Sequence, residues 1–381
     1  LAKIDFYNID DMNKLKFDKD NTEITFSKRD FIYDFLSSMR QKINDPLAIR
    51  EVGLSELEVG QVLVKVLVSG LCGAQLHEIR GHKGNEKFLP HLMGHEGCGE
   101  VLKIGPGVKT VLVGDKVVLH WKKGSGIQSE TPKYKWRGEK LNAGWVTTFN
   151  EKSIVSENRV FKAPKYINPK LAVLFGCAIP TGAGIVINDI RPFDQSEIAI
   201  FGLGGIGMSA LMATQLYNCS KIIVVDPSDN KLSLAESFGA THYINPTKLD
   251  PVDQIKKITN NFGVDFSIEA SGKTSVIEQA FISVKDNSGI CVFASHPEYG
   301  HKIKLDPFDL IKGKKIKGSW GGNSNLDRDI PLFAKLYLDG KLPLRKLISK
   351  CYSLDEINIA LDDLEKGEIG RPLIEIDKTL D

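Results

Sequence analysis

Residues 198–226 leave little freedom in how this chain can fold. An apolar strand, Ile198 to Phe201, runs into Gly202-Leu203-Gly204-Gly205-Ile206-Gly207. A helical stretch follows to Tyr217, and a second strand, Lys221 to Val225, ends on Asp226. A lone G-x-G-x-x-G is a weak signal. One that leaves a strand, opens a helix and is followed by an acid closing the next strand specifies a βαβ unit built to hold a dinucleotide. Gly202 permits the tight turn, Gly204 lets backbone approach a pyrophosphate, and Gly207 lets helix and sheet pack closely. Gly205 and Ile206 open the helix, whose amides and partial positive charge favour a phosphate. Asp226 is placed to accept the ribose hydroxyls of the adenosine half. Its charge repels a 2′-phosphate, so the pattern favours NAD over NADP.

The rhythm around this unit divides the chain. From about Pro46 to Phe161 the pattern reads as all-β: Gln61 to Val68, Gly99 to Ile104 and Asp115 to Leu119 are strand-like, punctuated by turns such as Gly105-Pro106-Gly107. Short strands with such turns predict a compact, barrel-like β domain. After Cys177 strands and helices alternate. A helix from Asn230 stops at Gly239, and strands are expected at His242-Ile244, Val264-Ile268 and Ile290-Ala294, which predicts a doubly wound parallel sheet. Residues 1–40 read as an amino-terminal extension of unknown role. Within it Ser27 and Asp30 resemble a capping box, and Phe31, Ile32, Phe35, Leu36 and Met39 recur with helical period. A surface helix packed on its own subunit is the simplest expectation. The chain opens at Leu1 rather than Met, as expected of a trimmed chain or of part of a longer polypeptide.

Within the β pattern and at its junction with the alternating one lie four metal donors. Cys72, the pair His95-Glu96, and Cys177 combine thiolate, imidazole and carboxylate, the donors that a catalytic zinc takes while keeping one position open. A Lewis acid beside a hydride carrier suggests alcohol–carbonyl redox chemistry.

Bulk properties exclude several other classes. A chain of 381 residues buries a sizeable core and divides into two or three domains. A net charge of +2 gives nothing that draws in nucleic acid or an anionic membrane. No apolar run approaches the ~18–20 residues that span a bilayer, and no signal peptide is expected from the residues that open the sequence. Six cysteines in this length do not make a disulfide framework, so a reducing cytoplasm is expected. Cys98, Cys219, Cys291 and Cys351 sit in apolar or strand-like settings and are expected to be core thiols.

The runs Gly94-His95-Glu96-Gly97-Cys98-Gly99-Glu100-Val101, Gly105-Pro106-Gly107-Val108 and Gly114-Asp115-Lys116-Val117 resemble the zinc-dependent medium-chain dehydrogenase/reductase (alcohol dehydrogenase) family. So do Gly176-Cys177 with Pro180-Thr181-Gly182, and the glycine loop. Gly318-Ser319-Trp320-Gly321-Gly322 and Ile369-Gly370-Arg371-Pro372-Leu373 are similar to counterparts in the liver-type and glutathione-dependent formaldehyde dehydrogenase branch. The resemblance spans roughly residues 45–378. It implies an α/β protein with a GroES-like β-barrel catalytic domain over 41–178 and 322–381, and a Rossmann NAD-binding domain over 179–321. It further implies a catalytic zinc on Cys72, His95 and Cys177, with Glu96 as an exchangeable ligand or near neighbour. Lys231 is implied to reach the adenosine ribose, Arg371 the pyrophosphate, and Thr181 the nicotinamide pocket. Assembly through edges of the nucleotide domain, as a homodimer or homotetramer, is implied as well.

Three departures from the family pattern stand out. Ala74 occupies the place of the relay hydroxyl, which leaves His77 to act through water as general base or to be a plain surface histidine. Gln75 stands where an acid hydrogen-bonds the ligating histidine. A neutral amide there is expected to make His95 the weaker donor. The segment from His120 to Gly144 contains no cysteine, so one catalytic zinc and no structural zinc is the expectation. That segment instead carries Lys122, Lys123, Lys133, Lys135, Arg137 and Lys140 among Trp121 and Trp136: a solvated basic loop, or a mouth that recruits an anionic substrate.

Together these features predict a zinc- and NAD-dependent oxidoreductase acting on a small-molecule alcohol. A polar alcohol, polyol or sugar derivative, phosphorylated or nucleotide-linked, is the expected substrate. Two other readings stand beside it. The same fold can use NAD transiently for a redox-neutral rearrangement or elimination, or serve as a redox-silent nucleotide-binding scaffold.

Overall fold

The computed structural model describes residues 35–84, 88–367 and 370–379. The apolar run after Gln61 becomes the ten-residue strand Gln61–Gly70, buried at nearly every position. It pairs antiparallel with Glu96–Ile104 along one edge. Along the other it pairs with Lys152–Ser156 and with Arg371–Glu375, which returns from the far end of the chain. These strands belong to a seven-stranded sheet.

A second sheet has five strands, in the order His91–Leu92, Phe35–Arg40, Ala48–Leu54, Tyr134–Trp136 and Glu139–Leu141. A bridge between His91 and Asn142 joins its two ends, closing it into a small barrel. Phe35, Met39, Val52, Leu92, Tyr134 and Leu141 fill its interior.

The strand Phe35–Arg40 corrects the helix expected there. Phe35 and Met39, four apart, share a face in either periodicity. Pairing of Phe35 with Val52 and of Met39 with Ala48 settles it as strand, with Leu36 facing outward. Ser27 to Asp34 lie outside the described residues. The all-β expectation after Pro46 needs one further correction: a short helix, Gly73–Ile79, follows the first cysteine. Seven residues with glycine at the start carry too little periodicity to announce it.

The third sheet is parallel. Across it run His242–Ile244, Lys221–Val225, Glu197–Phe201, Phe266–Glu269, Ile290–Phe293 and Lys315–Gly318, the order 3-2-1-4-5-6 of a dinucleotide-binding fold. Its crevice opens beyond Phe201 and Glu269, where the strand order reverses. Helix Ala178–Gly184 packs against helix Gly205–Thr214 through glycine: a Cβ on Gly182 would meet the Ile206 carbonyl at 2.1 Å. No single helix among the described residues is long and apolar enough to cross a membrane.

Cys98 and Cys291 are buried, as expected. Cys219 is only half-buried and Cys351 is exposed, because Cys351 lies on the outward face of the edge strand Ile348–Ser353.

The barrel owes its shape to Tyr134, whose hydroxyl accepts the Ile154 N–H at 2.8 Å in a buried setting. Tyr134→Phe strands that amide. We expect a loss of about 1–3 kcal/mol in denaturant unfolding, with the unfolding slope unchanged.

Candidate functional site

Cys72 and Cys177 are 105 residues apart in sequence, yet helix starts place both at one point. Cys72 caps Gly73–Ile79, and Cys177 caps Ala178–Gly184 in an unusual backbone conformation. His95 precedes the strand Glu96–Ile104, and Glu96 is its first residue. One ligand atom from each of Cys72, His95, Glu96 and Cys177 lies within 4.8 Å of all the others. A side chain at Gly70 would put its Cβ 2.6 Å from Glu96 Cδ, so only glycine lets the carboxylate in.

The polar atoms of this cluster fit a metal. His95 Nε2 and Glu96 Oε2 are buried without a hydrogen-bond partner, and Nε2 lies 3.8 Å from Glu96 Oε1. The two thiols share a charge. A hydrogen bond from Cys177 holds Cys72 well below the ordinary thiol value, assisted by His95 and Arg371 and opposed by burial. The same contact, with burial, pushes Cys177 well above it. Two sulfurs, an imidazole and a carboxylate are a zinc donor set, and a divalent cation relieves the cost of ionising the second thiol.

Arg371 is 3% exposed and forms a buried ion pair with Glu96. Burial pushes the Glu96 carboxyl up, while Arg371 and His95 act in the opposite sense. The guanidinium also touches the nucleotide loop: its Nη1 is 3.2 Å from where a Cβ on Gly205 would be, and the Ala178 Cβ is 3.5 Å from the same point. Arg371 was expected at the pyrophosphate alone. Its second partner was not foreseen, because nothing in the sequence pairs residues 275 apart.

In the glycine loop, Gly202 and Gly207 have the geometry expected of them. Gly202 adopts φ +89°. Around a Cβ at Gly204 there is open space, whereas one at Gly207 would strike the Gly202 carbonyl at 1.8 Å. Asp226 closes the neighbouring strand and is buried. It accepts the Leu203 N–H at 2.7 Å and the Ser228 N–H at 2.9 Å, which fixes the loop. Lys231, Gly204, Gly205 and Arg371 line one cleft over the start of the helix that contains Ile206 and Gly207. Thr181 is buried one turn after Cys177, donates its N–H to the Cys177 carbonyl, and keeps an unpartnered hydroxyl.

His77 lies half-buried on the helix that Cys72 caps, edge-on to His82 at 5.5 Å. Burial, then His82 and His296, hold its imidazole below the usual value. His82 and His296 were not singled out in the sequence. His296 belongs to the nucleotide domain, and only the tertiary fold brings it here. Gln75 is buried against His95, its Nε2 2.6 Å from the ring Nδ1.

The basic segment divides. Lys122 donates to the carbonyls of Trp320 and Ser324, Lys133 pairs with Glu58, and Arg137 stacks on Trp136. Lys123, Lys135 and Lys140 are exposed. Trp121 meets Trp320 edge-on at 5.0 Å.

Comparisons with known proteins place the whole chain in a family. Residues 58–165 match the alcohol dehydrogenase GroES-like domain, and residues 205–336 match the zinc-binding dehydrogenase domain. Benzyl alcohol dehydrogenase from Acinetobacter calcoaceticus is 30% identical with a TM-score of 0.82; the match covers 91% of this chain and all of that one. An alcohol dehydrogenase zinc-binding domain protein from Burkholderia ambifaria is 31% identical, also at 0.82, over 90% and 99% of the two chains. S-(hydroxymethyl)glutathione dehydrogenase of Escherichia coli is 29% identical over 355 residues, 86% of this chain and 96% of that one.

His120 is fully buried beside Glu96 in the sheet, and burial holds its imidazole well below the ordinary value. The folded state therefore takes up this proton at lower pH than the unfolded chain. Its stability is full above the unfolded value of about 6.5 and falls as pH drops below it. Replacing His120 by Leu should flatten that part of a stability-against-pH curve measured by denaturant unfolding.

Proposed function

Because this chain belongs to the zinc-dependent alcohol dehydrogenase family, we propose that it moves a hydride between an alcohol and NAD at the Cys72–His95–Cys177 cluster. The observation that carries this reading is the convergence of four metal donors with the glycine loop, joined by Arg371. Zinc, when bound, supplies a Lewis acid for the substrate oxygen, and the dinucleotide supplies the hydride partner. Cys72, His95 and Cys177 hold the metal, with Glu96 an exchangeable fourth donor. Asp226 favours NAD by charge, Lys231 and Arg371 sit where a dinucleotide passes, and Thr181 keeps a free hydroxyl for the nicotinamide side. With Ala74 unable to relay a proton, His77 is the base. Its depressed basicity keeps it neutral and able to accept a proton near pH 7.

One metal per subunit is part of this proposal, since the lobe from His120 to Gly144 is held by a hairpin and the Tyr134 plug. A reducing, cytoplasmic setting suits cysteines kept as thiols. The substrate we favour is a polar alcohol, polyol or sugar derivative, drawn by the exposed Lys123, Lys135 and Lys140. The Trp121–Trp320 pair favours a second reading, an aromatic alcohol. A panel of both classes with NAD and NADP should give NADH absorbance that vanishes after chelation and returns with zinc. His77→Ala should lower kcat at neutral pH by about 10²-fold or more. Turnover without accumulating NADH would point to the redox-neutral alternative instead, and no turnover with zinc bound to a scaffold.

Self-association is proposed through the edge strand Lys315–Gly318. The adjoining helix Pro307–Ile311 buries no residue, and Ile311 is 78% exposed. Ile311→Asp should shift the protein toward monomer in light scattering while secondary structure is retained.

A further inference from the structure

We propose that Gln75 is a positioning residue whose amide, whichever way it is turned, opposes the metal-ligating tautomer of His95, so that the neighbouring cluster holds its metal less tightly than a carboxylate at this position would allow. The inference rests on the reading of Cys72, His95, Glu96 and Cys177 as a zinc site and adds to it.

Gln75 is 1% exposed, and both ends of its amide are engaged. Oε1 accepts the backbone N–H of Cys72 at 2.8 Å. Only the oxygen end can serve there, because a peptide N–H donates. The NH2 end therefore faces Nδ1 of His95, at 2.6 Å. A donor in that place requires Nδ1 to be bare, and a neutral imidazole bare at Nδ1 carries its proton on Nε2. Nε2 is the atom turned into the cluster, buried and without a hydrogen-bond partner. With a proton on it, it cannot ligate.

Ligation needs the other tautomer. The proton that leaves Nε2 goes to Nδ1, the ring stays neutral, and Nδ1–H then opposes the Gln75 NH2. Turning the amide over presents Oε1 to Nδ1–H, but it sets the NH2 against the Cys72 N–H. One buried donor lacks an acceptor in either arrangement. A carboxylate offers acceptors at both ends and removes the conflict. As it stands, the amide presents the wrong end to the ligating tautomer.

Nitrogen-15 spectra of the ring in the unaltered protein test this, with zinc first removed by chelator and then restored. His95 should carry its proton on Nε2 without metal and on Nδ1 with it. A proton on Nδ1 in both states, or an unprotonated Nδ1 with zinc bound, would overturn the inference. Gln75→Glu should bind zinc about 10- to 100-fold more tightly in competition with a chromophoric chelator. Equal or weaker affinity overturns the inference while leaving the zinc site standing; a native protein that takes up no zinc at all overturns both.

Discussion

A guanidinium shut inside the protein ties its two halves together. Arg371 reaches Glu96 on one side and the Gly205 turn on the other. It gets there because Arg371–Glu375 comes back to pair with Gln61–Gly70, with Leu373 opposite Gly70. Burying a charge is costly unless a partner of opposite sign is held in good geometry. Here Glu96 is that partner, and the two thiols add negative charge nearby. The strand Arg371–Glu375 thus completes a site whose other parts are spread from Cys72 to Gly205.

That arrangement puts chemistry where water is scarce. Glu96 and Cys177 are buried and Cys72 and His95 half-buried, the helix after Cys177 lies flush against the helix after the glycine loop, and Ala178 approaches the loop itself. Electrostatic interactions gain strength in such a setting. The donor cluster and the glycine loop thus meet where the seven-stranded sheet adjoins the parallel sheet.

Much of this was legible in the residues. The tight turn asked of Gly202 and the close packing asked of Gly207 both have their counterpart in the geometry. The four metal donors, too, lie together as their chemistry suggested. What was hidden is what depends on three dimensions. Phe35 and Met39 satisfy two periodicities at once, and only the neighbouring strand decides between them. Glu96 with Arg371, and His77 under the charge of His296, join segments that no local pattern links. Lys122 and Lys133 looked like part of a free basic surface, yet one holds backbone carbonyls and the other a carboxylate.

The small barrel closed by His91 and Asn142 has a wider implication. Its tyrosine plug and hairpin ladder are made of ordinary side chains and backbone, so the lobe's shape does not depend on any thiol being reduced or any ion being present. Metal starvation would then empty the donor cluster while this lobe keeps its shape, and zinc, together with a reductant where the thiols have oxidised, would restore the cluster without refolding.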